Sequence, residues 1–403
     1  MSYFEQFKDD PVSQDAFGRK RVSGTGQRLD VEFLYDKQIE YFDEQLNNGT
    51  ATHNGNPRDV TLALSDGNNG SYAKLSSYPV PYTPGNGGLV EITGILDLAA
   101  IGSGTAEVFL RSNISGTPTD LNTNVQSTWS SQSSGVDWTD SHIFAIDFQS
   151  LKVGRIRFAM VVDGETQVVS TIENDNLRNS GYWQMANLPV YYHLYTDSGT
   201  TYMEIGYGDA NNAVGFRYYF AANASATMKA ICCTVKSEGG PDLLDMPGIP
   251  RCTDMGETVK TVSNSVVPLI SIRPKSTFQS FPNLVLSIPT YMTVQTDNPI
   301  RLIGLIGTTL SAGTTTFSDV DTNNSVMEVN TGATAYTGGR EIMVEYISSN
   351  GKNTSGGDKA LLGKTVMWDR QDDTETGIFT LAAIRTTATD ADVLVSINWE
   401  EIK

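Results

Sequence analysis

The sequence predicts an all-β protein, and three observations carry that expectation. Short runs rich in Val, Ile, Phe, Tyr and Thr recur along the chain, each bounded by Gly, Asn, Asp or Ser, as strands are bounded by turns. Charged residues make up only 18% of the chain, below the roughly 25% of ordinary globular proteins. Blocks of Leu, Ala, Glu and Lys, the strong helix formers, are scarce. The sharpest single element runs from Val153 to Val162 and closes on Asp163-Gly164, a dipeptide that accepts the positive φ angles of a tight hairpin.

At 403 residues the chain exceeds the usual size of one domain and can bury two cores. Residues 1–55 read as an extended arm in which Phe4, Phe7, Phe17, Phe33, Tyr35, Tyr41 and Phe42 are spread among acids. Within it, Asp30 to Tyr35 alternates and is suited to adding as a strand to a neighbouring sheet. Residues 56–240 carry strand candidates from Val60 to Lys236, at a spacing that fits a jelly-roll or lectin-like β-sandwich. The Pro-rich stretch from Tyr78 to Gly85 reads as an extended bridge, because proline restricts both itself and the residue before it. Residues 241–256, with Pro241, Pro247 and Pro250, read as a linker. Residues 257–403 form a second, smaller β domain whose last strand alternates cleanly, with Val393, Val395, Ile397 and Trp399 on one face. No fixed repeat, heptad or collagen-like tract is present, which excludes a long fibrous shaft.

Charge and motifs exclude several classes of function. The net charge of −18 leaves no basic patch for nucleic acid, and it opposes contact with anionic membrane headgroups. No signal peptide and no apolar run of membrane-spanning length is expected. Cys232, Cys233 and Cys252 are an odd set without framework spacing, so they read as free, buried thiols in a reducing cytoplasm. The three histidines, His53, His142 and His193, fall in unrelated contexts, and neither a metal motif nor a nucleophile elbow occurs. We therefore expect no catalytic residues, no metal and no cofactor. The segment from Asp319 to Asn324 opens like a Ca²⁺ loop but has Asn324 where the loop needs Gly, and reads as a solvated acidic turn. Trp129, Trp138 and Trp183 read as core or interface anchors, with sugar stacking as the alternative.

Two groups of residues stand out as candidates for contact. In the arm, Phe17 precedes the only basic cluster, Arg19-Lys20-Arg21, and with Phe33 and Tyr35 it supplies anchors for a virion or intersubunit contact. In the sandwich, Arg155 and Arg157 stand two apart. At positions i and i+2 of the strand they share one face while Ile156 and Phe158 fill the other, and each is expected to pair with a carboxylate on a neighbouring strand or subunit, with an anion or glycan-carboxylate site as the alternative.

Several of these segments carry a resemblance. Residues 15–23, the block from Gly154 to Glu165, Asn187-Leu188-Pro189-Val190-Tyr191-Tyr192, the stretch from Ile231 to Gly240 and the closing Ile397-Asn398-Trp399-Glu400-Glu401 resemble, in the same order, a family of virion structural proteins of tailed bacteriophages. The resemblance implies a non-enzymatic virion protein assembled in the host bacterial cytoplasm: an external head decoration, head fibre or tail-associated appendage, anchored by its arm. Its expected partners are other copies of itself, as a trimer by analogy with virion fibres, and other virion proteins of capsid, neck or tail. A receptor-binding tail fibre that meets host surface glycans is the alternative, and a polysaccharide depolymerase a weaker one.

Overall fold

The computed structural model describes residues 25–39, 41–65, 68–82, 86–97, 104–129, 136–150, 152–221, 225–238, 248–283, 285–349, 352–355 and 377–402. The candidate residues Phe17, Arg19, Lys20 and Arg21 lie outside them. The protein is all-β: among the described residues the one helical element is a single 3₁₀ turn, Gln126–Thr128. The chain divides into two compact units at Gly240.

The first unit is an antiparallel sandwich with fifteen strands among its described residues. In chain order these are β1 (Thr25–Glu32), β2 (Phe42–Asn47), β3 (Gly49–Asn54), β4 (Asp59–Leu64), β5 (Tyr72–Ser77), β6 (Gly88–Asp97), β7 (Thr105–Ser112) and β8 (Thr119–Val125). They continue as β9 (Ser141–Phe148), β10 (Ile156–Val162), β11 (Glu165–Ile172), β12 (Val190–Asp197), β13 (Thr200–Gly208), β14 (Ala213–Ala221) and β15 (Ala226–Glu238). An eight-stranded sheet runs β11-β10-β9-β6-β15-β4-β3, with β1 added along the far half of β15. A seven-stranded sheet runs β2-β5-β12-β13-β14-β7-β8.

Period-two alternation turns one face of each sheet inward. Phe144 and Phe158 from the first sheet meet Phe216 of the second, with ring centroids 4.9 and 5.7 Å away. Tyr192 crosses the whole core, and its hydroxyl donates to the Cys232 carbonyl at 2.8 Å, at the bulge that interrupts β15. Buried side chains of this kind each contribute about 1.5–3 kcal/mol. The Asp163-Gly164 hairpin forms as expected, both residues having positive φ, and it joins β10 to β11. Trp129, Trp138 and Trp183 are all buried in this core, so none is open for stacking on a sugar.

The arm boundary is corrected by the structure. Residues 25–54 supply three strands of the sandwich, because Val31, Phe33 and Phe42 alternate inward and are buried beside β15 and β12. Phe33 is therefore a core residue, its ring 5.4 Å from Phe42 and 6.2 Å from Tyr192, and not an intersubunit anchor. Tyr35, two residues on, is 81% exposed.

Among its described residues the second unit builds two larger antiparallel sheets and a two-stranded one, Thr277–Phe278 with Phe281–Pro282. The first joins Ile249–Asp254, Lys260–Val262, Ala391–Ile402, Leu286–Thr296 and Lys352–Ser355. The other joins Ser318–Asp319, Met327–Asn330, Val267–Pro274, Phe379–Arg385, Ile300–Gly313 and Ala333–Ile347. Val393, Val395, Ile397 and Trp399 all point into its core, as their alternation requires. The expected linker is partly strand: Ile249–Asp254 pairs with Ala391–Ile402 at the sheet edge, where the missing N–H of Pro250 costs little. The sequence also predicts a strand from Val366 to Asp369, which lies outside the described residues.

The acidic turn at Asp319 to Asn324 already holds a cation of the chain's own. The Lys275 ammonium, almost buried, lies 3.3 Å from Asp319 Oδ2 and donates to the Asp321 carbonyl at 3.0 Å. The Asp321 carboxylate meanwhile accepts from the backbone N–H groups of Asn323 and Asn324. Cys233 is buried, its neighbour Cys232 half-buried and Cys252 exposed; all three are free thiols, and the exposure of Cys252 on an edge strand corrects the expectation of three buried ones.

Candidate functional site

Outer faces of sandwich sheets normally carry scattered, solvated polar residues. On the seven-stranded sheet the outer face instead carries a continuous charged row. Strand register places Lys74 (β5) beside His193 (β12), then Glu204 (β13), Arg217 (β14) and Glu107 (β7), each directly opposite the next. Four of the five are less than 9% exposed, and Glu204 is fully buried.

Two glycines allow this sinking. Gly206 and Gly215 face each other one step along from Glu204 and Arg217. A Cβ on Gly206 would stand 2.3 Å from the Val214 carbonyl oxygen and 3.2 Å from the Tyr191 hydroxyl; one on Gly215 would stand 3.2 Å from the Phe109 ring. The Tyr191 and Phe109 rings occupy the space that side chains would have taken. The Arg217 and Arg111 guanidinium groups lie 4.7 and 5.1 Å from the Phe109 ring centroid, a cation–π arrangement from both.

Glu204 is the hub. Its Oε1 accepts from the Tyr195 hydroxyl at 2.9 Å, Arg111 Nη2 at 3.1 Å and Arg217 Nη1 at 3.4 Å. Arg217 also bonds Glu107 through Nε at 2.8 Å and lies 2.9 Å from Asp120, which in turn accepts from Arg111 Nε at 3.0 Å. With Lys74 the cluster balances three cations against three carboxylates. Along one side runs an aromatic ladder: His193, Tyr195, Tyr202 and Tyr219 follow one another at centroid spacings of 4.4, 4.8 and 5.8 Å. These four are half-buried.

The electrostatics favour holding over reacting. Burial pushes the Glu204 carboxyl upward, but Arg111, His193 and Arg217 outweigh it and leave the group below its ordinary range. Burial and the Glu204 charge both raise the Tyr191 and Tyr195 phenols, which stay protonated. Burial lowers His193 to about 3, with Glu204 opposing and Lys74 and Arg111 adding to the fall. A glycosidase needs a carboxyl held protonated as general acid. Glu204 is held ionised instead, and the Arg217 guanidinium lies between it and Glu107. A neutral imidazole titrating near 3 is a poor general base and no acid at neutral pH.

His193 gives the face a pH dependence. Its folded pKa lies below the ordinary 6.5 or so, so between about 6.5 and 3 the unfolded chain binds a proton that the folded one refuses. Stability is then complete above about pH 6.5 and falls as the pH drops toward 3. Unfolding free energies measured from pH 7 to 4 are expected to decline, and His193→Gln is expected to flatten that slope. An unchanged slope would mean that His193 is freely solvated.

The sequence-level candidates fare differently. Arg157 is buried and pairs with Asp147, its register partner on β9, through Nε at 2.8 Å and through Nη2. Arg155 stands one residue before β10, and its guanidinium lies 3.8 Å from the half-exposed Glu173. Neither belongs to the charged row, and Tyr35 lies away from it on the loop before β2. The row itself escaped sequence reading because its members are scattered between Lys74 and Arg217. The one local sign is a charged residue at the centre of a strand that also carries aromatics, as in Tyr202-Met203-Glu204-Ile205 and Phe216-Arg217-Tyr218. Among the described residues no group of His, Cys, Asp and Glu could hold a metal ion.

No family model and no curated protein matches this chain. Among solved structures, it is similar to an endo-1,3-β-glucanase from Streptomyces sioyaensis at 11% identity and a TM-score of 0.30, over 54% of this chain and 98% of the other. It is also similar to an endo-β-1,4-glucuronan lyase from the fungus Trichoderma reesei, at 11% identity and 0.21, over 55% and 98%. A third is the seed lectin of Lotus tetragonolobus, at 13% identity and 0.22, over 53% and 100%.

Proposed function

We propose that this protein is a non-enzymatic structural component of a tailed-bacteriophage particle, an external appendage whose sandwich meets host-surface glycans. The observation that supports the glycan contact is the charge-balanced outer face of the seven-stranded sheet. There, half-buried tyrosines, Arg111 and Asp120 present fixed donors and acceptors at the rim of a network that Glu204 holds in place. Sugars offer many hydroxyls and no strong charge. Preorganised planar groups of both signs bind them at little entropic cost. The same network speaks against catalysis, since its central carboxylate is ionised and its guanidinium groups are paired. The virion assignment is supported by the resemblance carried by residues 15–23, 154–165 and 231–240.

Two measurements test the two halves of this reading. Purified protein is expected to co-sediment with host envelopes and to be displaced by polysaccharide extracted from them. Tyr202→Ala with Tyr219→Ala is expected to weaken that binding at least tenfold while the fold persists. Peptides of this chain are expected in mass spectra of purified phage particles. Absence of envelope binding sinks the glycan contact, and absence from particles sinks the virion role.

A further inference from the structure

One end of the eight-stranded sheet is dry on its outer face, where such a face is ordinarily wet. Register lines up Gln27, Lys236, Leu89, Asp147 and Arg157 across β1, β15, β6, β9 and β10. The neighbouring line is Asp30, Thr234, Glu91, Ala145 and Ala159, with Val168 of β11 beyond it. On β9 and β10 these side chains point away from the core, since Ile146 and Phe158 between them fill it. Yet Leu89, Ala145, Asp147, Arg157 and Ala159 are 6%, 5%, 1%, 1% and 1% exposed. Farther along the same face of β9, Ile143 is 40% exposed. The burial is thus confined to the end of β6, β9 and β10 beside which β1 starts. A guanidinium so deeply buried on an outward face needs a layer above it, and the seven-stranded sheet lies on the other side. Among the described apolar residues, Val168 alone packs against Leu89, Ala145 and Ala159. The loop after β11 leads elsewhere, because Arg178 reaches Asn122 of β8 in the other sheet. These exposures are those of a single chain, so the covering layer belongs to that chain.

We propose that the layer is the chain's own N-terminal segment, residues 14–24, laid across this face with Phe17 on Leu89, Ala145 and Ala159. Reach allows it. β1 and β9 are three strand spacings apart, roughly 14 Å. The stretch from Phe17 to Thr25, eight residues on, extends to roughly 26 Å. Phe17 is also the nearest aromatic residue before β1. Charge favours the same occupant. Between β1 and the apolar group stand the carboxylates of Asp30 and Glu91, and the segment carries Arg19, Lys20 and Arg21 past them. Another stretch leaves this end of the sheet: residues 239–247 follow β15 and read Gly-Gly-Pro-Asp-Leu-Leu-Asp-Met-Pro. With two acids and no cation, it would set carboxylates against carboxylates. The basic cluster then belongs to the fold, closing the face opposite the charged row instead of reaching for a partner.

The proposal is independent of the glycan reading, and two measurements on the full chain test it. In a Cys252→Ser background, the thiol introduced by Ala159→Cys is expected to resist alkylating reagents, read peptide by peptide in mass spectra. Adding Phe17→Ser is expected to speed its modification at least tenfold, while Cys233 in the core stays unreactive and reports an intact sandwich. A thiol that Phe17→Ser leaves protected, or that Leu243→Ser with Leu244→Ser opens instead, overturns the proposal. In the second measurement the photoreactive p-benzoylphenylalanine replaces Phe17. Irradiation is expected to link position 17 to peptides of β6, β9 or β10 at the mass of a single chain. A link to a second chain, a link to other strands, or no link overturns the proposal. This arm decides the matter even where Phe17→Ser unfolds the sandwich.

Discussion

Arg157→Ala is expected to cost about 3–5 kcal/mol of folding free energy, whereas Arg155→Ala costs at most about 1 kcal/mol. The two arginines are separated by one residue yet stand in opposite environments. Arg157 is in register with Asp147, both side chains are 1% exposed, and removing the cation leaves a carboxylate stranded in the sandwich. Arg155 lies ahead of the strand, 3.8 Å from a half-exposed Glu173, where water screens the pair and replaces either partner. Urea unfolding of both variants beside the parent decides the matter. Equal losses would mean that the Asp147 pairing does not hold in solution.

Glu204→Leu is expected to be comparably severe, again about 3–5 kcal/mol. The leucine fills the volume, but Arg111 and Arg217 keep their charges and lose the carboxylate they share. Tyr195 loses its acceptor as well. The double variant Glu204→Leu with Arg217→Met is expected to lose clearly less than the sum of the single losses, because it removes partners together. Additive losses in equilibrium unfolding would show that the row is a set of independent surface pairs.

How much of this was legible in the sequence depends on where each element gets its stability. The strands Ile156–Val162 and Ala391–Ile402 advertise themselves, since they lie in mid-sheet and their apolar alternation is the reason they fold. β2 and β8 stand at the two ends of their sheet and read Phe-Asp-Glu-Gln-Leu-Asn and Thr-Asp-Leu-Asn-Thr-Asn-Val. Edge strands draw stability from one neighbour's backbone, and polar side chains protect them from pairing with other chains, so hydrophobic pattern says little about them. β1 (Thr25–Glu32) reads as an arm because Gln27, Arg28, Asp30 and Glu32 leave little apolar pattern, and the alternating run expected as a strand, Asp30 to Tyr35, overlaps it only at Asp30, Val31 and Glu32. The charged row was invisible for a different reason. Lys74 and Glu204 become near neighbours only through the strand order β5-β12-β13, which no local pattern encodes.

The facing pair Gly206 and Gly215 has a wider consequence. Where two bare backbones meet, the sheet is thinner by the depth of a side chain, and the outer layer settles into the dent. That dent turns what would be a wet surface into a region of weak screening, where ions attract one another strongly and hold fixed positions. Geometry laid down by two residues without side chains thus governs the strength of interactions among residues that touch neither of them. A methyl group at either position would push the strands apart and let water in, unmaking the charged row while every charged residue remained in the sequence.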